Sequence, residues 1–110
     1  MAASPTSTEE LESCPVARTL NLLQGKWSTR VLYELQKQDS VRFGELARMI
    51  GGITNTVLTS TLRDLEAKGL VNRVQFNEIP PHVEYSLTES GKALQAVFAE
   101  MATWAQTYLD

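Results

Sequence analysis

The sequence predicts a mainly α fold with one small β-hairpin, an α+β arrangement, and three observations lead there. Apolar residues recur at helical spacing from Val16 to Leu65 and again from Leu94 to the end. Between them one block, Leu70 to Leu87, has strand composition and is cut by Asn77-Glu78-Ile79-Pro80-Pro81. The chain has 110 residues, which is room for one hydrophobic core.

The elements follow in order. Residues 1–13 are polar and rich in Ser, Thr and Glu, and read as a flexible arm ahead of a single domain over residues 14–110. Pro15 suits a first helical position, where its missing N–H costs nothing. Val16, Leu20 and Leu23 then repeat along a first helix that Gly25 ends. A second helix runs from about Ser28 to Lys37, with Val31, Leu32 and Leu35 as its stripe, and Asp39-Ser40 is a turn. Val41-Arg42-Phe43 is a short extended stretch. A third helix covers about Gly44 to Ile50, and Gly51-Gly52 breaks it. Thr54 is a good N-cap for a fourth helix to Lys68, whose buried seam is Leu58, Leu62 and Leu65. Leu70–Phe76 and His82–Leu87 form the hairpin. Thr88 caps a single last helix that reaches the C-terminus, in which Leu94, Val97, Phe98 and Met101 are able to pack on their own domain. Two helices joined by a tight glycine turn, followed directly by a hairpin, make a winged helix-turn-helix.

Composition narrows the function classes. With 43% hydrophobic and 21% charged residues, this is an ordinary globular composition. No apolar run approaches the roughly 20 residues of a membrane span, and the first residues lack the basic and apolar regions of a signal peptide. A single cysteine gives no disulfide framework, so a reducing cytoplasm is the expected location. One histidine, one cysteine, and no Gly-rich phosphate loop, CxxC or HExxH leave little for catalysis; no enzyme, metal or cofactor is expected.

The net charge of −3 hides a partition. Residues 18–73 carry nine bases against five acids, whereas residues 74–110 carry one base against five acids. Screening acts over about 10 Å, so only local charge meets a phosphate backbone. The basic middle is compatible with double-stranded DNA as partner; the acidic total keeps open a winged-helix module that binds protein instead of DNA.

At 100° per residue, the fourth helix carries Thr56, Thr59, Ser60 and Arg63 opposite its leucine seam, with Asn55 at the N-terminal edge. Short hydroxyl side chains, an Asn that can pair with adenine and an Arg that can pair with guanine or a phosphate suit the major groove. A solvated, Thr-rich face is the alternative. Arg73, Gln75, Asn77 and His82 on the hairpin, and Arg42 and Arg48 near the third helix, are candidates for backbone contact; each could equally be a plain surface residue.

Cys14-Pro15, Gly25-Lys26-Trp27, Arg42-Phe43-Gly44-Glu45-Leu46, the helix from Thr54 to Glu66, and Pro80-Pro81-His82-Val83-Glu84-Tyr85-Ser86-Leu87-Thr88-Glu89-Ser90-Gly91 occur in one order at one spacing. In this the chain resembles the HxlR family of bacterial winged helix-turn-helix regulators, from about residue 13 to the end. The resemblance implies a dimeric transcription regulator in which the helix from Thr54 reads DNA, the hairpin is the wing, and the first and last helices form the dimer interface. It also implies a sensing cysteine at Cys14 in some members. The family often has lysine where Thr56 stands and arginine where Thr61 stands, so this chain departs in its phosphate contacts.

Cys14 precedes the first helix, whose unpaired N–H groups favour a thiolate, while Glu9, Glu10 and Glu12 oppose it. It is either an inert small residue or a sensor for an oxidant or small-molecule electrophile. The homodimer surface is expected to include Leu20, Leu23, Phe98, Met101, Trp104 and Tyr108, because aromatic side chains near a chain end need cover. Packing of the last helix on the first helix of the same chain is the alternative.

Overall fold

A computed structural model describes residues 13–110; all of the expected arm except Ser13 lies outside the described residues. The elements are α1 (Pro15–Leu22), α2 (Ser28–Leu35), β1 (Val41–Arg42), α3 (Phe43–Ile50), α4 (Asn55–Ala67), β2 (Val71–Phe76), β3 (His82–Leu87), α5 (Glu89–Ala93) and α6 (Gln95–Tyr108). The fold is mainly helical with a small antiparallel sheet in the order β1-β3-β2.

The core forms where the apolar stripes of α2, α3 and α4 meet the sheet. Val31, Leu32, Leu35, Leu46, Leu58, Leu62 and Leu65 are essentially inaccessible, and Leu70, Val71, Tyr85 and Leu87 close the cluster from the sheet side. Side chains at i, i+4 and i+7 on α4 lie over one another, which is why Leu58, Leu62 and Leu65 bury together. Thr54 caps α4, its Oγ1 accepting from the Val57 amide at 3.2 Å. The turn between α3 and α4 needs Gly51 and Gly52, at φ +71° and +72°, where a Cβ would be strained although the space is open.

Polar anchors fix the helix pair. Arg30 of α2 donates Nη2 to the Ile50 carbonyl at 3.1 Å, satisfying an orphan carbonyl at the end of α3. Glu34, buried at 5% exposure, holds Arg30 at 2.8 Å and Lys37 at 3.0 Å. Burial pushes its carboxyl up, but hydrogen bonds and charge from Lys37 and Arg30 outweigh this and hold it below the usual carboxylate range. At the other end of α4, Lys68 pairs with Asp64 at 2.9 Å and donates to the Leu22 carbonyl at 2.8 Å, joining α4 to the end of α1.

Several expectations are corrected. Val41-Arg42 is a third strand, in register with Tyr85 and Glu84, and α3 begins at Phe43, not Gly44. The last helix is split at Leu94. The Leu94 amide bonds to the Gly91 carbonyl at 3.2 Å, a tightened turn that ends α5. Gly91 is held there because a Cβ would collide with the Leu70 carbonyl oxygen. Thr88 does cap this turn, accepting from the Gly91 amide at 3.1 Å while donating to the Gly69 carbonyl at 2.7 Å.

The terminal helices differ from expectation more deeply. Val97 and Met101 are exposed, and of α6 only Phe98 is buried. α1 has no buried residue, and Leu23 just beyond it lies in the core. Leu23 and Phe98, expected at the dimer surface, are therefore core residues of the protomer, already covered by their own chain. α6 follows α5 directly and meets the end of α2 only at its start, where Phe98 enters the core and Gln95 donates Nε2 to the Gln36 carbonyl at 3.4 Å.

Candidate nucleic-acid interface

The leucine seam of α4 faces the core, so its other side is turned out by geometry. Asn55, Thr56, Ser60 and Arg63 are exposed and Thr59 half-exposed. Together with Phe43 of α3 these five line one open groove of about 480 Å³. Among the described residues its lining contains no acid, and Arg63 has no carboxylate partner. The groove thus offers hydroxyls, an amide and an unpaired guanidinium, which is donor and acceptor chemistry suited to base edges and phosphates. Phe43 is the lining residue missed among the sequence-derived candidates. It belongs to the other helix of the pair, and a stretch read as extended gave no sign of where its ring would lie.

The hairpin stands beside this groove. Its register, from Val71↔Leu87 to Phe76↔His82, leaves residues 77–81 as the tip, as the two prolines suggested. Directly paired residues share a face. Arg73 and Gln75 therefore share a face with Tyr85 and Val83, and both are exposed, as is Asn77 at the tip. Arg42, at the start of α3, and Arg48, in its last turn, are exposed too. They line a second groove of about 430 Å³ beside the tip end of β3 with Phe43, Gly44, Glu45, His82 and Val83.

His82 stands apart from the other candidates. Its ring stacks on Phe76 with centroids 4.7 Å apart and planes 10° from parallel. Its Nε2 lies 2.9 Å from a Glu84 carboxylate oxygen, and Nδ1 lies 3.7 Å from Glu78. Hydrogen bonds from His82 and Ser40 draw the Glu84 carboxyl below its usual range. His82 is thus occupied within the wing. The spacing of Phe76 and His82 across a five-residue tip is the sequence signal for their pairing, visible only once the register is known.

Cys14 is an exposed free thiol at the N-cap of α1, its carbonyl accepting from the Arg18 amide at 2.9 Å. Along the two terminal helices, apolar side chains are uncovered: Val16 and Leu20 on α1, and Met101, Trp104 and Tyr108 on α6. Trp104 and Tyr108 pack on each other, with ring centroids 5.5 Å apart.

Comparison with known proteins agrees with this geometry. The HxlR-like helix-turn-helix family profile matches residues 22–110. The chain is 40% identical over 104 residues to the HTH-type transcriptional regulator YdeP of Bacillus subtilis, covering 94% of this chain and 80% of that one. A regulator of Methanothermobacter thermautotrophicus is 43% identical over 95 residues, covering 86% and 72% of the two chains. Among solved structures, the reduced form of the redox regulator HypR superposes with a TM-score of 0.80 at 39% identity, covering 88% of this chain and 95% of that one. The reduced form of the transcriptional regulator YodB from B. subtilis gives 0.76 at 36% identity, over 86% and 93%. No helix among the described residues is long and apolar enough to cross a membrane. The chain belongs to the HxlR-like helix-turn-helix family and is a DNA-binding transcriptional regulator of that type, not an enzyme.

Proposed function

We propose that this regulator acts in the cytoplasm as a homodimer on a two-fold operator, reading bases with the outer face of α4 and responding to oxidants or electrophiles through Cys14. The observation that carries the reading is the acid-free groove shared by Asn55, Thr56, Thr59, Ser60 and Arg63. In this reading α4 lies in the major groove. Arg42, Arg48, Arg73, Gln75 and Asn77 hold the phosphate backbone, and His82 keeps the wing in shape by its contacts with Phe76 and Glu84.

Two copies join through α1 and α6. Trp104 and Tyr108, at 57% and 70% exposure, are a large aromatic surface to leave in water, and Val16 and Leu20 supply matching apolar area. Two-fold symmetry then sets the recognition helices about one DNA turn apart, roughly 34 Å. Light scattering at micromolar concentration is expected to give the mass of two chains; a monomer would contradict the dimer.

The sensing role is supported by the exposure of Cys14 at a helix start and by likeness to HypR, a redox regulator, and to YodB, also solved after diamide treatment. With one thiol per chain, diamide can take two electrons and two protons from a pair of Cys14 thiols to join the subunits. A mixed disulfide with a small thiol and alkylation by a quinone are the other routes. Cys14→Ser is expected to fold and bind DNA but to lose its response to diamide and quinones; an unchanged response removes the sensor.

The deciding experiment selects bound fragments from random DNA, then measures their affinity at two salt concentrations and again with oxidised protein. A two-fold site whose affinity falls steeply with salt is expected, because bound counterions are released. Absence of binding at either salt would return the chain to a protein-binding role.

A further inference from the structure

One lining residue of the recognition groove is not polar. Phe43 opens α3, yet its side chain lines the groove with Asn55, Thr56, Thr59, Ser60 and Arg63 of α4. It also lines the neighbouring groove with Arg42, Arg48 and His82. Its ring is therefore the ridge between the surface suited to base edges and the surface suited to the backbone.

The ring is not a loose surface aromatic. It is half-buried against the core, with its centroid 6.4 Å from that of Tyr85 and the planes tilted by 52°. Tyr85 is itself 7% exposed and paired on both sides, with Val41 of β1 and Arg73 of β2. The sheet thus fixes one side of the Phe43 ring and leaves another side facing the groove.

A phenyl ring has no hydrogen bond to offer a base edge; it recognises by burying apolar surface. The major groove presents one apolar group for that purpose, the C5-methyl of thymine. In a helix-turn-helix the first helix crosses the backbone while the second lies in the groove, so a residue at their seam meets the groove near its edge. Resting on the reading of α4 as the recognition helix, we propose that Phe43 is a base-reading residue that buries the C5-methyl of one thymine in each half-site.

The test replaces thymine by deoxyuridine, one position at a time and symmetrically in both half-sites, in a duplex selected by the wild-type protein. Loss of one buried methyl is expected to weaken binding about fourfold per half-site at a single position. Phe43→Ala is expected to bind more weakly and to lose the thymine preference at that position alone, while Phe43→Leu, which preserves apolar bulk in the core, shows a reduced preference. The thymine-to-deoxyuridine ratio is measured within each variant, so a smaller folded fraction cancels. Wild-type indifference to every replacement would overturn the proposal, as would an undiminished ratio in Phe43→Ala. A wild-type protein that selects no duplex at all fails at the earlier step, the assignment of α4.

Discussion

α4 and α6 are nearly equal in length, 13 and 14 residues, and opposite in how they meet solvent. α4 buries three leucines against its own chain and turns out hydroxyls, an asparagine and an arginine. α6 buries Phe98 alone and turns out Met101, Trp104 and Tyr108. α4 has all three of its leucines packed and has polar groups to spare. α6 has left much of its apolar surface without cover, which is costly at about 25 cal/mol per Å². Under the proposed function the contrast corresponds to different partners: a duplex for α4 and a second copy for α6.

The sharpest way to break the contrast is to charge the uncovered face. Trp104→Asp is expected to raise the dimer dissociation constant about 100-fold, in the range of aromatic interface anchors, and operator affinity should fall with it. Sedimentation at graded concentration checks this; an unshifted dimer would mean that α6 is covered some other way. Next comes the finished side of α4. Leu62→Ala should cost about 3 kcal/mol of folding stability, as for other buried leucines, measured by urea unfolding. On the outer side of the same helix, Arg63→Ala should leave unfolding unchanged and weaken operator binding by about 1–3 kcal/mol. An equal loss of stability in both variants would erase the distinction between the two faces.

A smaller effect concerns how firmly α4 is presented. Glu34 keeps Arg30 on the carbonyl of Ile50. Because its folded carboxyl lies below the ordinary range, its contribution is complete at neutral pH and is lost as pH falls through that lowered value. Glu34→Gln should therefore cost about 1–2 kcal/mol near pH 7 and flatten the acid limb of the stability profile. Weaker still, Lys68→Met removes the tie between α4 and the Leu22 carbonyl and should cost about 1 kcal/mol. An unaltered acid limb in Glu34→Gln would detach this anchor from the account.

Much of this contrast was legible in the sequence wherever the information is local. The leucine seam of α4, the caps at Thr54 and Thr88, the glycine turn and the proline-bounded tip each depend on residues within one or two turns of each other. What depended on distant pairing was not legible. Val41 finds Tyr85 across 43 intervening positions, so β1 looked like a loose extended stretch. The break at Leu94 lies one turn after Gly91, which rests on the Leu70 carbonyl, a contact no helical period reveals. Leu23, Phe98, Val97 and Met101 are all apolar, and hydrophobicity alone did not say which of them would be buried by the protomer. Phe43 and His82 show the same limit within the candidate interface: their composition was visible, but whether each ring faced a groove or a neighbour depended on sheet register.

The proposed function stands on contact between the outer face of α4 and the duplex. It is tested most directly by following backbone amide resonances while a selected duplex is titrated into the protein. The largest changes are expected from Asn55 through Arg63, with Arg73 to Asn77 of the wing next. Changes confined to α1 and α6, with α4 unmoved, would contradict it.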